Sequence, residues 1–116
     1  EKIFEGTFGE AVLTNSYLAE GTPLETNRYA VYHGDNAELV FVNHNVRSGK
    51  ILIIKDSFGL PVYSFLSTVV HEVRALDVRL YQDSVAEYAE KYQPDVVIVL
   101  YNGDCFGDSM FRFDGK

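Results

Sequence analysis

The stretch Ile51-Leu52-Ile53-Ile54-Lys55-Asp56-Ser57-Phe58-Gly59-Leu60-Pro61 carries four consecutive aliphatic residues into a lysine, an acid and a serine, and then to a proline. An aliphatic run without polar alternation predicts a strand buried on both faces, as in the middle of a parallel sheet. Pro61 suits the first position of a helix, which leaves Ser57 at the turn between strand and helix. Ligands of such sheets sit beyond the carboxyl ends of the strands, so Ser57 is a candidate nucleophile whose oxyanion would meet N–H groups at a helix N-terminus. The same residues admit a plainer reading, in which Asp56 and Ser57 only cap the helix that starts near Pro61.

Downstream, Val62, Phe65, Leu66, Val69, Val70 and Val73 recur at helical spacing and predict one apolar stripe, with Ser64, Ser67, Thr68, His71, Glu72 and Arg74 on the other face. His71 is then expected to be a solvated residue near a helix C-terminus. Ala75 to Tyr81 alternates Leu76, Val78 and Leu80 with Asp77, Arg79 and Tyr81, a strand pattern. Ser84 and Glu87 form a capping box before a second stripe of Val85, Tyr88, Ala89 and Tyr92. Pro94 stops that helix, and Asp95 to Tyr101 reads as another buried strand. Strand, helix, strand, helix, strand predicts a doubly wound α/β unit with parallel pairing. Its strand ends bring Ser57, the Asp77/Arg79 region and Asn102-Gly103-Asp104 to one edge.

An apolar strand ending in Asp56-Ser57, followed two crossovers later by Pro94-Asp95-Val96-Val97-Ile98-Val99-Leu100-Tyr101-Asn102-Gly103-Asp104, resembles the SGNH/GDSL hydrolase superfamily. Within it, Lys55-Asp56-Ser57 and Asp77-Val78-Arg79 are similar to the branch of alginate O-acetylation proteins and bacterial DHHW-motif proteins. The likeness covers roughly residues 49 to 104. It implies a three-layer, flavodoxin-like sheet with flanking helices. It also implies Ser57 as nucleophile, Asn102 as oxyanion donor, and Asp77, Arg79 and Tyr101 beside a carbohydrate or acylated small-molecule substrate. The implied activity is a serine-dependent carbohydrate O-acetyltransferase or acetylesterase without a cofactor, in an extracytoplasmic setting. Three features depart from the pattern: no Gly precedes Asp56, no glycine ends the second strand where ordinary SGNH enzymes use a backbone N–H, and no Asp-x-His occurs in the chain, whose histidines are His33, His44 and His71. A serine without its base loses on the order of 10⁴-fold in rate, so the chain alone is expected to be nearly inert. Because it opens on Glu1 without an initiator Met or signal peptide, the chain is expected to be the C-terminal part of a longer protein whose base lies upstream. The alternatives are a catalytically inactive relative, or a non-catalytic module that binds carbohydrate or protein in the strand-end cleft.

Residues 1–48 read as a β-rich segment of the same domain portion, ahead of the core at 49–116. Arg28 to His33 and Glu38 to Asn43 predict a hairpin joined by Gly34-Asp35-Asn36-Ala37, and Lys2 to Phe4 and Glu10 to Leu13 are shorter strand candidates. His33 and His44, on the two arms of that hairpin, invite a metal site or a substitute base. Neither Cys105 nor the carboxylates complete a ligand set, so no metal is expected, and turn or surface histidines are the default. A formal charge of −7 and a pI near 4.8 argue against nucleic acid, which needs a basic surface. No apolar run approaches the roughly 18–20 residues of a membrane span. Phe106, Met110, Phe111 and Phe113, interleaved with Asp104, Asp108 and Asp114, predict a final strand or packed arm.

Overall fold

The structure is a computed structural model that describes residues 2–4, 9, 11, 32–105 and 107–115. Five strands form one sheet: β1 (Lys2–Phe4), β2 (Glu38–Asn43), β3 (Lys50–Lys55), β4 (Glu72–Asp77) and β5 (Val96–Leu100), in the spatial order β1-β2-β4-β3-β5. β3 is parallel to both β4 and β5, whereas β2 runs antiparallel to β4. The α/β architecture is as expected, but the sheet is mixed rather than wholly parallel.

Among the described residues, a helix packs on each face of the sheet. Helix α1 (Leu60–Leu66) packs Leu60 and Tyr63 onto Ile51, Ile53, Val73 and Ala75, and α2 (Val85–Tyr92) packs Val85 and Tyr92 onto Leu52, Ile54 and Leu76. Alternate residues of β3 thus feed two separate cores, which is why that strand carries no polar alternation. From β3 the chain crosses by α1 to β4 on one side. It then returns by α2 across the opposite face to β5 on the other side. The direction of winding therefore reverses at the carboxyl end of β3, the topological switch point where ligands of open α/β sheets bind.

The second half of the helix prediction is overturned. α1 ends at Leu66, β4 begins at Glu72 rather than Ala75, and Val78 to Leu80 form a turn. Ser64 donates to the Leu60 carbonyl, Ser67 to that of Ser64, and Thr68 to that of Phe65. These hydroxyls occupy helix carbonyls locally, a competition that favours ending the helix. The inward face is also different: Ser64 and Ser67 are buried, while Phe65 and Val69 are 54% and 64% exposed. His71 lies in the turn before β4, half-buried, with Nδ1 against the carbonyls of Asn43 and Val46.

Of the expected hairpin, the Glu38–Asn43 arm is β2, which pairs with β1 at Phe41–Asn43 and with β4 along its other edge, and Tyr32 and His33 form a turn rather than strand. Residues 28–31 and most of the 10–13 candidate lie outside the described residues; Ala11 is helical. β5 is an edge strand with Val96, Val97 and Val99 about half exposed, not the buried strand its composition suggests. The tail is a packed arm of short helical turns with Met110 buried, not a strand. By contrast β1, β3, the Ser84 cap on the Glu87 N–H, and the stop at Gln93-Pro94 are as expected; Gln93 takes the left-handed conformation that ends α2. Among the described residues no helix is long and apolar enough to cross a membrane.

Candidate functional site

Lys55, Asp77 and Leu100 are registered partners across β4, β3 and β5. Ser57, Arg79 and Asn102 each stand two residues beyond that row, so parallel pairing brings all three to one rim. The sheet register performs the convergence that the strand-end reading predicted.

Asp56 fixes the serine turn. Its Oδ1 accepts the Phe58 N–H at 2.8 Å, and its Oδ2 accepts the Asn102 N–H at 2.7 Å. One buried carboxylate therefore clamps the turn that holds Ser57 to the loop that holds Asn102. Because Asp56 supplies the cap, Ser57 does not: its half-buried hydroxyl has no hydrogen bond among the described residues. Asn102 Oδ1 accepts the Asp104 N–H at 3.2 Å, which orients the amide and leaves its Nδ2 without a partner among the described residues.

Beneath the turn lies a four-charge cluster. Lys55, fully buried at the end of an aliphatic strand, places its ammonium 3.0 Å from Asp35 and 3.1 Å from Asp77. Arg79 bonds both oxygens of Asp77, through Nε at 2.9 Å and Nη2 at 2.5 Å, and meets Asp35 at 3.0 Å. Two cations and two carboxylates balance, as a buried ion pair requires. Gly59 roofs the lysine: a Cβ there would fall 2.6 Å from Lys55 Cβ, so only glycine lets the turn close over the stem.

Of the expected substrate contacts, Arg79 is 40% exposed in its side chain and faces the rim. Asp77 is fully buried, so it reaches the rim through Arg79. The Tyr101 hydroxyl donates to the Met110 carbonyl at 2.7 Å; burial, then the charges of Asp56 and Asp77, push its pKa up to about 12 and keep it protonated. His44 and His71 stand ring to ring, 6.5 Å apart, beside the first residues of β3 and β4, at the opposite end of the sheet from Ser57. His33 touches the Ala11 carbonyl and the Phe41 ring. Among the described residues no imidazole bonds Ser57. Sequence reading missed Asp35, which it left in a turn, and the role of Lys55. The available signal was a lysine ending an aliphatic strand, a buried charge that needs a carboxylate from elsewhere in the chain.

Burial alone would raise the Asp77 pKa, but the hydrogen bond from Arg79 and the charge of Lys55 outweigh it and hold the carboxyl below the ordinary range. A lowered native value contributes stability that is present above the unfolded value near 3.9 and is lost as pH falls through the native one. The urea midpoint is therefore expected to drop on acidification below about pH 4, less steeply in Asp77→Asn. A parent midpoint flat down to about pH 2 would contradict this coupling.

The fold and the rim define an α/β protein whose polar strand ends converge at a switch point. No protein-family model matches the chain, and no curated protein matches it by sequence. Solved structures do resemble it. Bacillus cereus PatB1 bearing a sulfonyl adduct aligns with TM-score 0.65 and 26% identity over 72% of this chain and 29% of that one. A second structure of Bacillus cereus PatB1 aligns with TM-score 0.58 and 26% identity over 66% and 26%. A DHHW family protein from Eubacterium siraeum aligns with TM-score 0.63 and 18% identity over 76% and 30%. The structural relatives thus include PatB1 and a DHHW family protein, and the chain spans less than a third of the length of each.

Proposed function

We propose that this chain carries the serine-bearing part of an acyl-transfer site, acting as a carbohydrate O-acetyltransferase or acetylesterase of SGNH-like chemistry, with the general base supplied by chain outside these residues. The observation that carries the reading is the Ser57 hydroxyl, released from capping by Asp56 and held on the same rim as the Asn102 amide. The likeness to PatB1 supports it. A sulfonyl adduct on PatB1 is in keeping with a nucleophilic site in that protein.

In this mechanism Ser57 Oγ attacks the acyl carbonyl while its proton passes to an imidazole. Asn102 Nδ2 donates to the oxyanion, the leaving alkoxide takes the proton, and a sugar hydroxyl or water then receives the acyl group. Arg79, held on Asp77 and Asp35, offers its exposed edge to the substrate. An extracytoplasmic location belongs to the same proposal. The second reading, a non-catalytic module that binds carbohydrate or protein, is favoured by the lack of an imidazole on Ser57 among the described residues.

An active-serine phosphonate probe distinguishes the two. The longer gene product that the first reading requires should be labelled, its Ser57→Ala variant should not, and this chain alone should react weakly or not at all. A longer product that also stays unlabelled would leave the binding module as the function.

A further inference from the structure

On the α2 face, Lys50, Arg74, Tyr88, Lys91 and Tyr92 line a cleft of about 280 Å³. It lies between the C-terminal half of α2 and the amino-terminal ends of β3 and β4. Arg74 lays its guanidinium 4.3 Å from the centre of the Tyr92 ring, and Lys50 stands 5.4 Å from the same centre. Glu72 neutralises Arg74 at 2.6 Å. The Tyr88 hydroxyl accepts from Arg74 and donates to Glu38, so Arg74 and the tyrosines form a fixed floor. The lysines are different. Neither Lys50 nor Lys91 has a carboxylate at ion-pair distance among the described residues, and the Lys50 ammonium meets the Tyr92 ring and, at 3.4 Å, the Tyr92 carbonyl. Asp95 accepts the Lys50 backbone N–H at 2.8 Å rather than pairing with its ammonium, so in a chain of net charge −7 the two ammonium groups on this recess are left as cations for an anion to meet.

We propose that this cleft binds a small ring compound bearing an oxyanion, either a carboxylate or a phosphate, with Lys50 and Lys91 on the oxyanion and the Tyr88–Tyr92–Arg74 floor against the ring. The volume lies just below the roughly 300–1,000 Å³ of pockets for drug-sized ligands, which suits an occupant the size of one sugar. At about 3.3 Å per residue, β3 sets the cleft roughly 20 Å from Ser57, so the site is separate from the serine rim and does not rest on its function.

The test is an amide-NMR titration of the intact chain with glucuronate, glucose 6-phosphate, inorganic phosphate and glucose. One or both acidic sugars should shift the Lys50, Arg74, Tyr88 and Lys91 resonances saturably, and the stronger of the two identifies the oxyanion. The doubly substituted Lys50→Gln, Lys91→Gln chain, confirmed folded by an unchanged melting temperature, should bind at least about tenfold more weakly. Equal binding of glucose would overturn the charge recognition. Inorganic phosphate matching glucose 6-phosphate would overturn the ring contact. Undiminished binding by the double variant, or no shifts with either acidic sugar, would overturn the site.

Discussion

Lys55→Ala is expected to lower the unfolding free energy by about 3–5 kcal/mol, because it leaves the Asp77 carboxylate buried with Arg79 as its remaining cation. Both partners are fully shielded from water, so solvent screening does not soften the loss. The alanine also empties the space that the lysine stem fills under Gly59. Against a typical domain stability of about 5–15 kcal/mol this is a large fraction, and the urea midpoint should fall by about 2 M. Lys55→Met keeps the stem and isolates the charge: it should still destabilise, and pairing it with Asp77→Asn should recover part of the loss, since a neutral pair leaves no orphaned ion. A Lys55→Ala midpoint within about 0.3 M of the parent would show that the cluster does not hold the fold.

On the proposed acyl-transfer reading, with the base supplied by chain outside these residues, Ser57→Ala should reduce acyl transfer by about 10⁴-fold or more, and Asn102→Ala by about 10²–10³-fold. The two losses have different causes. The first removes the atom that forms the covalent bond, so no change of acceptor or pH should restore the rate. The second removes a donor to the oxyanion but leaves Ser57 in place, so phosphonate labelling should persist at a reduced rate. Melting temperatures should change little in either variant, because Asn102→Ala loses only an exposed bond to the Asp104 N–H and the Asn102 backbone N–H bond to Asp56 survives the alanine. Asn102→Ala with unchanged turnover would exclude the amide from the oxyanion site. Ser57→Ala with undiminished turnover would end the nucleophile reading and leave the rim as a binding surface.

The sequence by itself determined the local structure wherever covalent geometry and short-range hydrogen bonding decide it. The uninterrupted Ile51–Ile54 run marked the central strand, Ser84 with Glu87 marked the start of α2, and Pro94 marked its end. Strand-helix alternation then implied that Ser57, Arg79 and Asn102 share an edge, which the parallel register bears out. Elsewhere local pattern competed with partners it could not see. Val69, Val70 and Val73 fit a helix by spacing, but Val73 and its neighbours lie between β2 and β3, and a strand there satisfies two ladders of backbone bonds at once. The sequence marked β2 as a strand, but only the fold shows that it pairs with β1 at its end and with β4 along its length. The aliphatic run of β5 could not reveal that it ends the sheet, since composition is the same for a central and an edge strand. Only the tertiary structure decided that Asp35, remote in sequence from Lys55 and Arg79, closes their charge cluster. A buried ammonium dictates that some carboxylate must come, and only the path of the chain through space determines which one.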